Sequence, residues 1–118
     1  MEEIKKAHKI LNSNPLAILH TTSTYPCPPE ELNLNMIKTL INEFPNNPIG
    51  YSGHESGLST SIAAAVLGAK IIERHITIDR ALWGTDQSAS LGIEGMNKLV
   101  GSVNKITVSL GDGVKKVY

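Results

Sequence analysis

His54 and His75 stand 21 positions apart, and each closes an apolar stretch with the pattern of a short β-strand. One stretch is Pro48-Ile49-Gly50-Tyr51-Ser52-Gly53-His54; the other is Ala69-Lys70-Ile71-Ile72-Glu73-Arg74-His75. Neutral imidazole is a ligand for Mn, Fe, Co, Ni and Zn. Two imidazoles are too few for a closed structural zinc site. They suit an open, catalytic cation whose other positions belong to water and substrate. The competing assignment is a histidine that is only a hydrogen-bonded core or surface group at a strand end. Spacing alone leaves both open.

The elements around the pair decide whether the two rings can meet. A helical stretch, Ser59 to about Leu67, lies between them, with Ser59 as its expected N-cap and Gly68 as its stop. A strand–helix–strand unit makes its strands parallel neighbours. Both imidazoles then sit at the carboxyl edge of one sheet, where α/β proteins bind ligands. Side chains alternate across a strand. Ser52 and His54 therefore share one face of the first strand, and Ile71, Glu73 and His75 share one face of the second. Arg74 has the opposite parity and is expected to point toward the helices. Glu73 is an acid inside an apolar strand, and buried carboxylates are rare unless paired. It is expected either to orient His75 or to meet a cation from another strand.

The remaining chain repeats the same alternation. Residues 2–12 read as a helix with Ile4, Ala7 and Leu11 on one face, ended by Pro15. Leu16 to His20 is a continuous apolar strand. The loop Thr21 to Pro29 follows, stiffened by Pro26, Pro28 and Pro29. In it Ser23 and Tyr25 share one parity and His20 and Thr22 the other. A helix is expected from about Leu34 to Phe44, and a last one over about 94–110, with Met96, Leu99, Val100, Val103, Ile106 and Leu110 on one face. His8 is expected to be a solvated surface residue. The order α-β-α-β-α-β-α implies an α/β fold with a parallel sheet and right-handed crossovers. Three strands cannot close a barrel, and they leave two open edges and an exposed sheet face. The expected fold is therefore a partial (β/α)8 TIM barrel, about its last three βα units, with the first helix as the tail of a preceding unit. A small free-standing three-layer sandwich is the alternative.

The loop from Ile76 to about Ile93 is long for a βα connection, and long ordered loops are often functional. In it, Asp79 or Asp86 suits sugar hydroxyls; each equally suits a cap or loop-stabilising role. No Walker loop or Rossmann glycine fingerprint is present, and nothing marks Ser52 as a strained nucleophile.

Composition excludes several classes. The 118 residues carry 11 basic and 11 acidic side chains with no basic stripe, which argues against nucleic acid as a partner. No apolar run approaches the roughly 20 residues that span a bilayer, and the start lacks the apolar segment of a signal peptide. The single cysteine, Cys27, excludes an internal disulfide and suits a reducing cytoplasm, the expected location.

Taken together, five segments resemble the sialic acid synthase family, which includes N-acetylneuraminate synthases and their legionaminate and pseudaminate relatives. They are Leu19-His20-Thr21-Thr22-Ser23-Thr24-Tyr25-Pro26, Asn33-Leu34-Asn35, Gly50-Tyr51-Ser52-Gly53-His54, Gly68 through His75, and Asp79-Arg80 through Gly84-Thr85-Asp86-Gln87-Ser88-Ala89-Ser90. They occur in order and in register over nearly the whole chain. The resemblance implies a (β/α)8 catalytic domain of which residues 1–118 form the C-terminal part, units six to eight. It implies condensation of phosphoenolpyruvate with an N-acylated mannosamine-type sugar to a sialic-acid-like nonulosonate, with release of phosphate. It implies a divalent metal, Mn or Mg, held by His54 and His75 and polarising the sugar aldehyde. It also implies that Ser23 and Ser52 contact phosphoenolpyruvate and that Tyr25 and Asp86 lie near the sugar.

Two local departures stand out. Gly53 occupies a position that is acidic in many members, and Trp83-Gly84-Thr85-Asp86 replaces a common Pro-Gly-Pro-Asp. They read as marks of a subgroup, with a different acyl sugar as one meaning. The family's catalytic glutamate and phosphate-binding lysines belong to earlier barrel strands, and its antifreeze-like domain would follow Tyr118. No catalytic residue is therefore assigned here, and the isolated chain is expected to be inactive. It is expected to pair with the missing barrel part or to form a homo-oligomer. The alternatives are a non-catalytic half-barrel remnant or binding module, and another phosphoenolpyruvate-using synthase of 3-deoxy sugar acids.

Overall fold

Three short parallel strands form the centre of the molecule, in the order β1-β2-β3. The structure is a computed structural model that describes residues 1–11 and 15–117. In chain order the elements are α1 (Glu2–Leu11), β1 (Ile18–Thr21), a 3₁₀ turn (Pro29–Glu31), α2 (Met36–Glu43), β2 (Ile49–Gly53), α3 (Ser59–Val66), β3 (Ile71–Arg74) and α4 (Ile93–Ser109). The predicted α/β alternation with parallel strands is thus observed. Position 12, the expected end of the first helix, lies outside the described residues.

The sheet begins and ends where neighbouring backbone allows. The first strand starts at Ile18, not Leu16, because the Ile18 N–H is the first to reach across, to the Pro48 carbonyl. The Leu16 carbonyl is taken by the Asn47 side-chain amide instead. Gly50 sits in the middle strand between Leu19 and Ile71. A Cβ there would lie 2.9 Å from the Leu19 Cγ and from both the Cβ and carbonyl oxygen of Ile71. Only glycine permits that approach.

One sheet face is covered by helices. Ile49 and Tyr51 of β2 pack with Ile37, Leu40 and Phe44 and with Ala64 of α3 to form the buried core. Full burial of such side chains stabilises the fold by roughly 1.5–3 kcal/mol each. Gly68, with φ +106°, ends α3 as expected. Ser59 does not cap α3: the N-cap is Leu58, Ser59 is the first helical residue, and no side chain bonds the helix start. His8 is not a solvated group either. Its ring lies 4.9 Å from that of Phe44 and its Nε2 is 2.9 Å from Asn47 Oδ1, because α1 lies against the end of α2.

The opposite face carries Leu19, Thr21, Gly50, Ser52, Ile71 and Glu73, and its rim is open: Thr21, Ile71 and Glu73 are all exposed. The last helix is also only partly covered. Leu99 alone of α4 is buried. The rest of its apolar stripe, including Val100, Val103 and Leu110, lines a groove of about 520 Å³ against Ala65 and Ile72. No helix among the described residues is long and apolar enough to cross a membrane.

Candidate functional site

His54 and His75 each follow the last paired residue of their strands, Gly53 and Arg74. Their main chains are pinned at that point. The His54 carbonyl accepts from the Cys27 N–H at 2.9 Å, and the His75 carbonyl accepts from the Leu91 N–H at 2.9 Å. Strand alternation then sets the face on which the rings lie. Both side chains continue the face that carries Ser52 and Glu73, and their ring centroids stand 5.1 Å apart at 82°.

The rings are also oriented by their Nδ1 atoms. His54 is buried, and its Nδ1 lies 2.7 Å from the Thr22 carbonyl oxygen. A carbonyl only accepts, so Nδ1 carries the proton and donates it. That tautomer leaves the lone pair on Nε2. His75 is half-buried, and its Nδ1 stands 3.6 Å from Asp86 Oδ2. This is beyond hydrogen-bond length, yet the carboxylate favours a proton on the same nitrogen. Neither Nε2 has a hydrogen-bond partner among the described residues. Tyr25 closes one side, its ring 4.3 Å from His54 and 5.8 Å from His75.

Directly behind the pair lies a charge cluster on the helix side of the sheet. Glu55 follows His54 and Arg74 precedes His75. Arg74 Nη1 and Glu55 Oε1 are 3.0 Å apart, with side chains 0% and 3% exposed. Arg74 also donates to the Glu55 carbonyl at 2.6 Å, the Gly57 carbonyl at 2.9 Å and the Ser61 hydroxyl at 2.9 Å. Tyr51 and Ser61 donate to the Glu55 carboxylate at 2.8 and 2.7 Å. Burial would raise the Glu55 carboxyl, but these hydrogen bonds and the Arg74 charge outweigh it and hold it below its ordinary value. Burial and the neighbouring Glu55 push the Tyr51 hydroxyl up, so it remains a donor.

The sequence expectations fare unevenly. Arg74 points to the helices as its parity requires. Ser52 lies beside the pair, but its hydroxyl donates to Glu73 Oε1 at 2.7 Å. Glu73 is exposed, and among the described residues it has no ion-pair partner, does not bond His75 and lies on a sheet face that no element covers. Tyr25 and Asp86 both reach the pair. Ser23 is exposed, and no hydrogen bond ties it to the rings. Asp79 is a loop residue, its carboxylate accepting from the Ala81 N–H at 2.8 Å. His20 turns away, its Nε2 2.7 Å from the Leu32 carbonyl. Glu55 is the residue that sequence reading missed. Its signal was Arg74, a cation aimed into an apolar layer and in need of an anion.

Among the described residues no group of three or more His, Cys, Asp or Glu side chains is placed to hold a metal ion. The pair therefore offers two nitrogen donors and no more. Two imidazole nitrogens are one donor short of the three protein ligands of a catalytic zinc site, so a cation held there would take its other ligands from water or substrate.

Parallel strands, helices over one face and polar groups gathered at the carboxyl edge define an α/β protein, and that edge is where open α/β sheets in general bind ligands. The NeuB family model matches residues 1–115, and the chain belongs to that family. The chain is 44% identical over 117 residues to human N-acetylneuraminate-9-phosphate synthase, covering 99% of this chain and 32% of that protein. It is 37% identical to N,N'-diacetyllegionaminic acid synthase of Campylobacter jejuni, covering 97% of this chain and 35% of that one. A crystal structure of N-acetylneuraminic acid synthetase from Leptospira borgpetersenii, in complex with citrate, superposes with a TM-score of 0.90 at 36% identity. It is matched over 99% of this chain and 41% of its own. The chain thus spans about a third of the length of the curated relatives it matches.

Proposed function

We propose that this chain is the C-terminal part, units six to eight, of a (β/α)8 synthase domain and carries the metal half of its active site. The reaction is condensation of phosphoenolpyruvate with an N-acylated mannosamine-type sugar to give a nonulosonate and phosphate. The observation that carries this reading is the perpendicular imidazole pair, with both Nδ1 atoms turned toward protein oxygens and both Nε2 atoms left over. His54 and His75 would hold Mn or Mg, which when bound supplies Lewis-acid polarisation of the sugar carbonyl. Tyr25 offers the sugar a ring face beside the pair, and Asp86 offers it a carboxylate. Ser52 and Ser23 are assigned to phosphoenolpyruvate. Because the Ser52 hydroxyl donates its hydrogen bond to Glu73, Ser52 must turn from Glu73 before it can donate to an anion.

Further support comes from the open surfaces. An exposed sheet face, two strand edges and the groove beside α4 are the places where further βα units would pack. The chain is accordingly proposed to self-associate or to pair with the remaining barrel, in the cytoplasm. Alone it is expected not to complete the reaction, since the phosphate-binding lysines and acid–base glutamate that the resemblance implies belong to earlier barrel strands.

Two measurements test this. Incubated with phosphoenolpyruvate and N-acetylmannosamine, the purified chain should release no phosphate; turnover would refute the assignment as a partial site. Mn²⁺ titrated into the chain should bind, and His54→Ala/His75→Ala should abolish binding. Equal affinity in both would remove the metal assignment.

A further inference from the structure

We propose that the buried Arg74–Glu55 pair is a positioning device that holds the rings of His54 and His75 in their perpendicular arrangement. The proposal rests on the metal reading above for its purpose, but the positioning itself can be observed without metal. Chain connectivity is the first argument. Each member of the pair is covalently adjacent to one histidine, so the ion pair braces the two ring-bearing backbones where the strand pairing of Gly53 with Arg74 ends. The direction of the bonds is the second. Arg74 bonds the carbonyls of Glu55 and Gly57 beyond β2, the Ser61 hydroxyl on α3, and the Ala89 carbonyl at 3.3 Å in the loop after β3. That last loop also carries Asp86, the neighbour of His75 Nδ1. One guanidinium thereby ties together the three segments that supply His54, His75 and Asp86.

The third argument is fit. Gly53 lies where a Cβ would stand 2.5 Å from Glu55 Oε2, 2.8 Å from Tyr51 Cε1 and 3.0 Å from Arg74 Cδ. The strand end is packed onto the pair so closely that no side chain can intervene. The planar fork of Arg74 matters, not its charge alone, because a lysine ammonium cannot span these acceptors.

The test uses the full chain and the variants Glu55→Gln, Arg74→Lys and Arg74→Met. Leu40→Ala serves as a control that weakens the core beneath Tyr51 without removing a hydrogen bond of the pair. Ring ¹⁵N shifts and ring-to-ring nuclear Overhauser contacts of His54 and His75 are measured without metal, and Mn²⁺ affinity by calorimetry. Expected are mixed tautomers and weakened ring contacts in all three pair variants. Their Mn²⁺ affinity should fall about 10–100-fold, the usual effect of removing support behind metal ligands. Leu40→Ala should keep the wild-type ring signals and affinity, and Arg74→Lys should fail to rescue. Folded pair variants with wild-type ring signals would overturn the proposal. So would losses no larger than those in Leu40→Ala at equal stability. If the wild-type chain binds no Mn²⁺, the metal reading fails, and the ring signals alone still decide the positioning.

Discussion

Gly53→Ala places one methyl group against the most constrained point of the strand end. The new Cβ would meet Glu55 Oε2 at 2.5 Å, Tyr51 Cε1 at 2.8 Å and Arg74 Cδ at 3.0 Å. A carboxylate oxygen at the end of a flexible side chain could ordinarily swing away. Here it is held by the Tyr51 hydroxyl, and its partner oxygen by Ser61 and Arg74. The Tyr51 ring is itself locked in the core, 1% exposed. Overpacking of this kind costs roughly 1–3 kcal/mol. Gly53 does not have a positive φ, so the backbone adds no strain of its own. Replacing a strand glycine should even return about 0.5–1 kcal/mol of chain entropy. The expected net loss is therefore about 0–2.5 kcal/mol. Gly53→Asp should lose more, since it adds a second carboxylate beside Glu55. Urea unfolding followed by circular dichroism reads this as a lowered midpoint with an unchanged slope. In a Glu55→Ala background the cost of Gly53→Ala should shrink, because the closest contact is gone. A Gly53→Ala chain more stable than the wild type, or equal costs in both backgrounds, would refute the packing account.

The Glu55 carboxyl titrates below its ordinary value of 4.5 in the folded chain. A depressed carboxylate adds stability above its unfolded value, and this contribution is lost as pH falls through the folded value. The stability gap between wild type and Glu55→Gln should thus be full at pH 7 and narrow below about pH 4.5; a gap constant from pH 7 to 3 in urea titrations would contradict it. On α4, Leu99→Ala should cost about 2–5 kcal/mol, as for a buried leucine. Its neighbour Val100, 52% exposed in the groove, should accept serine within about 0.5 kcal/mol. Equal losses at the two positions would mean that the groove is closed in solution.

Much of this architecture could be read from residue order, for physical reasons that are specific. Strict helix–strand alternation permits few topologies, so the parallel order followed. The period of two along a strand is geometric, and it places Ser52, His54, Glu73 and His75 on one face. Glu55 escaped because its role depends on a loop turning back. Glu55 lies beyond the paired strand, and its side chain reaches Ser61 and Arg74 only because residues 55–58 reverse through Gly57 at φ +88°. Strand parity does not reach around such a turn. Glu73 was misjudged for a different reason. Parity assigns a side chain to a face, but burial depends on what covers that face, and none of the described residues does. Ser59 has the right chemistry for a cap but lies one position inside the helix start.

The pair behind the histidines bears on how the departure at position 53 should be understood. A buried ion pair is a poor stabiliser in itself: its desolvation offsets much of its attraction, and apolar residues of similar volume often do as well. What apolar packing cannot supply is direction. The Glu55–Arg74 cluster fixes two strand ends and two loops by oriented bonds, and it leaves no room for a Cβ at position 53. Glycine there then follows from the acid two residues later and from the tyrosine two residues earlier. Under this account position 53 carries no information about the acyl group of a sugar. A member with an acid at this position would have to lack Glu55, or hold it elsewhere, and would need another way to anchor the cation behind its second histidine.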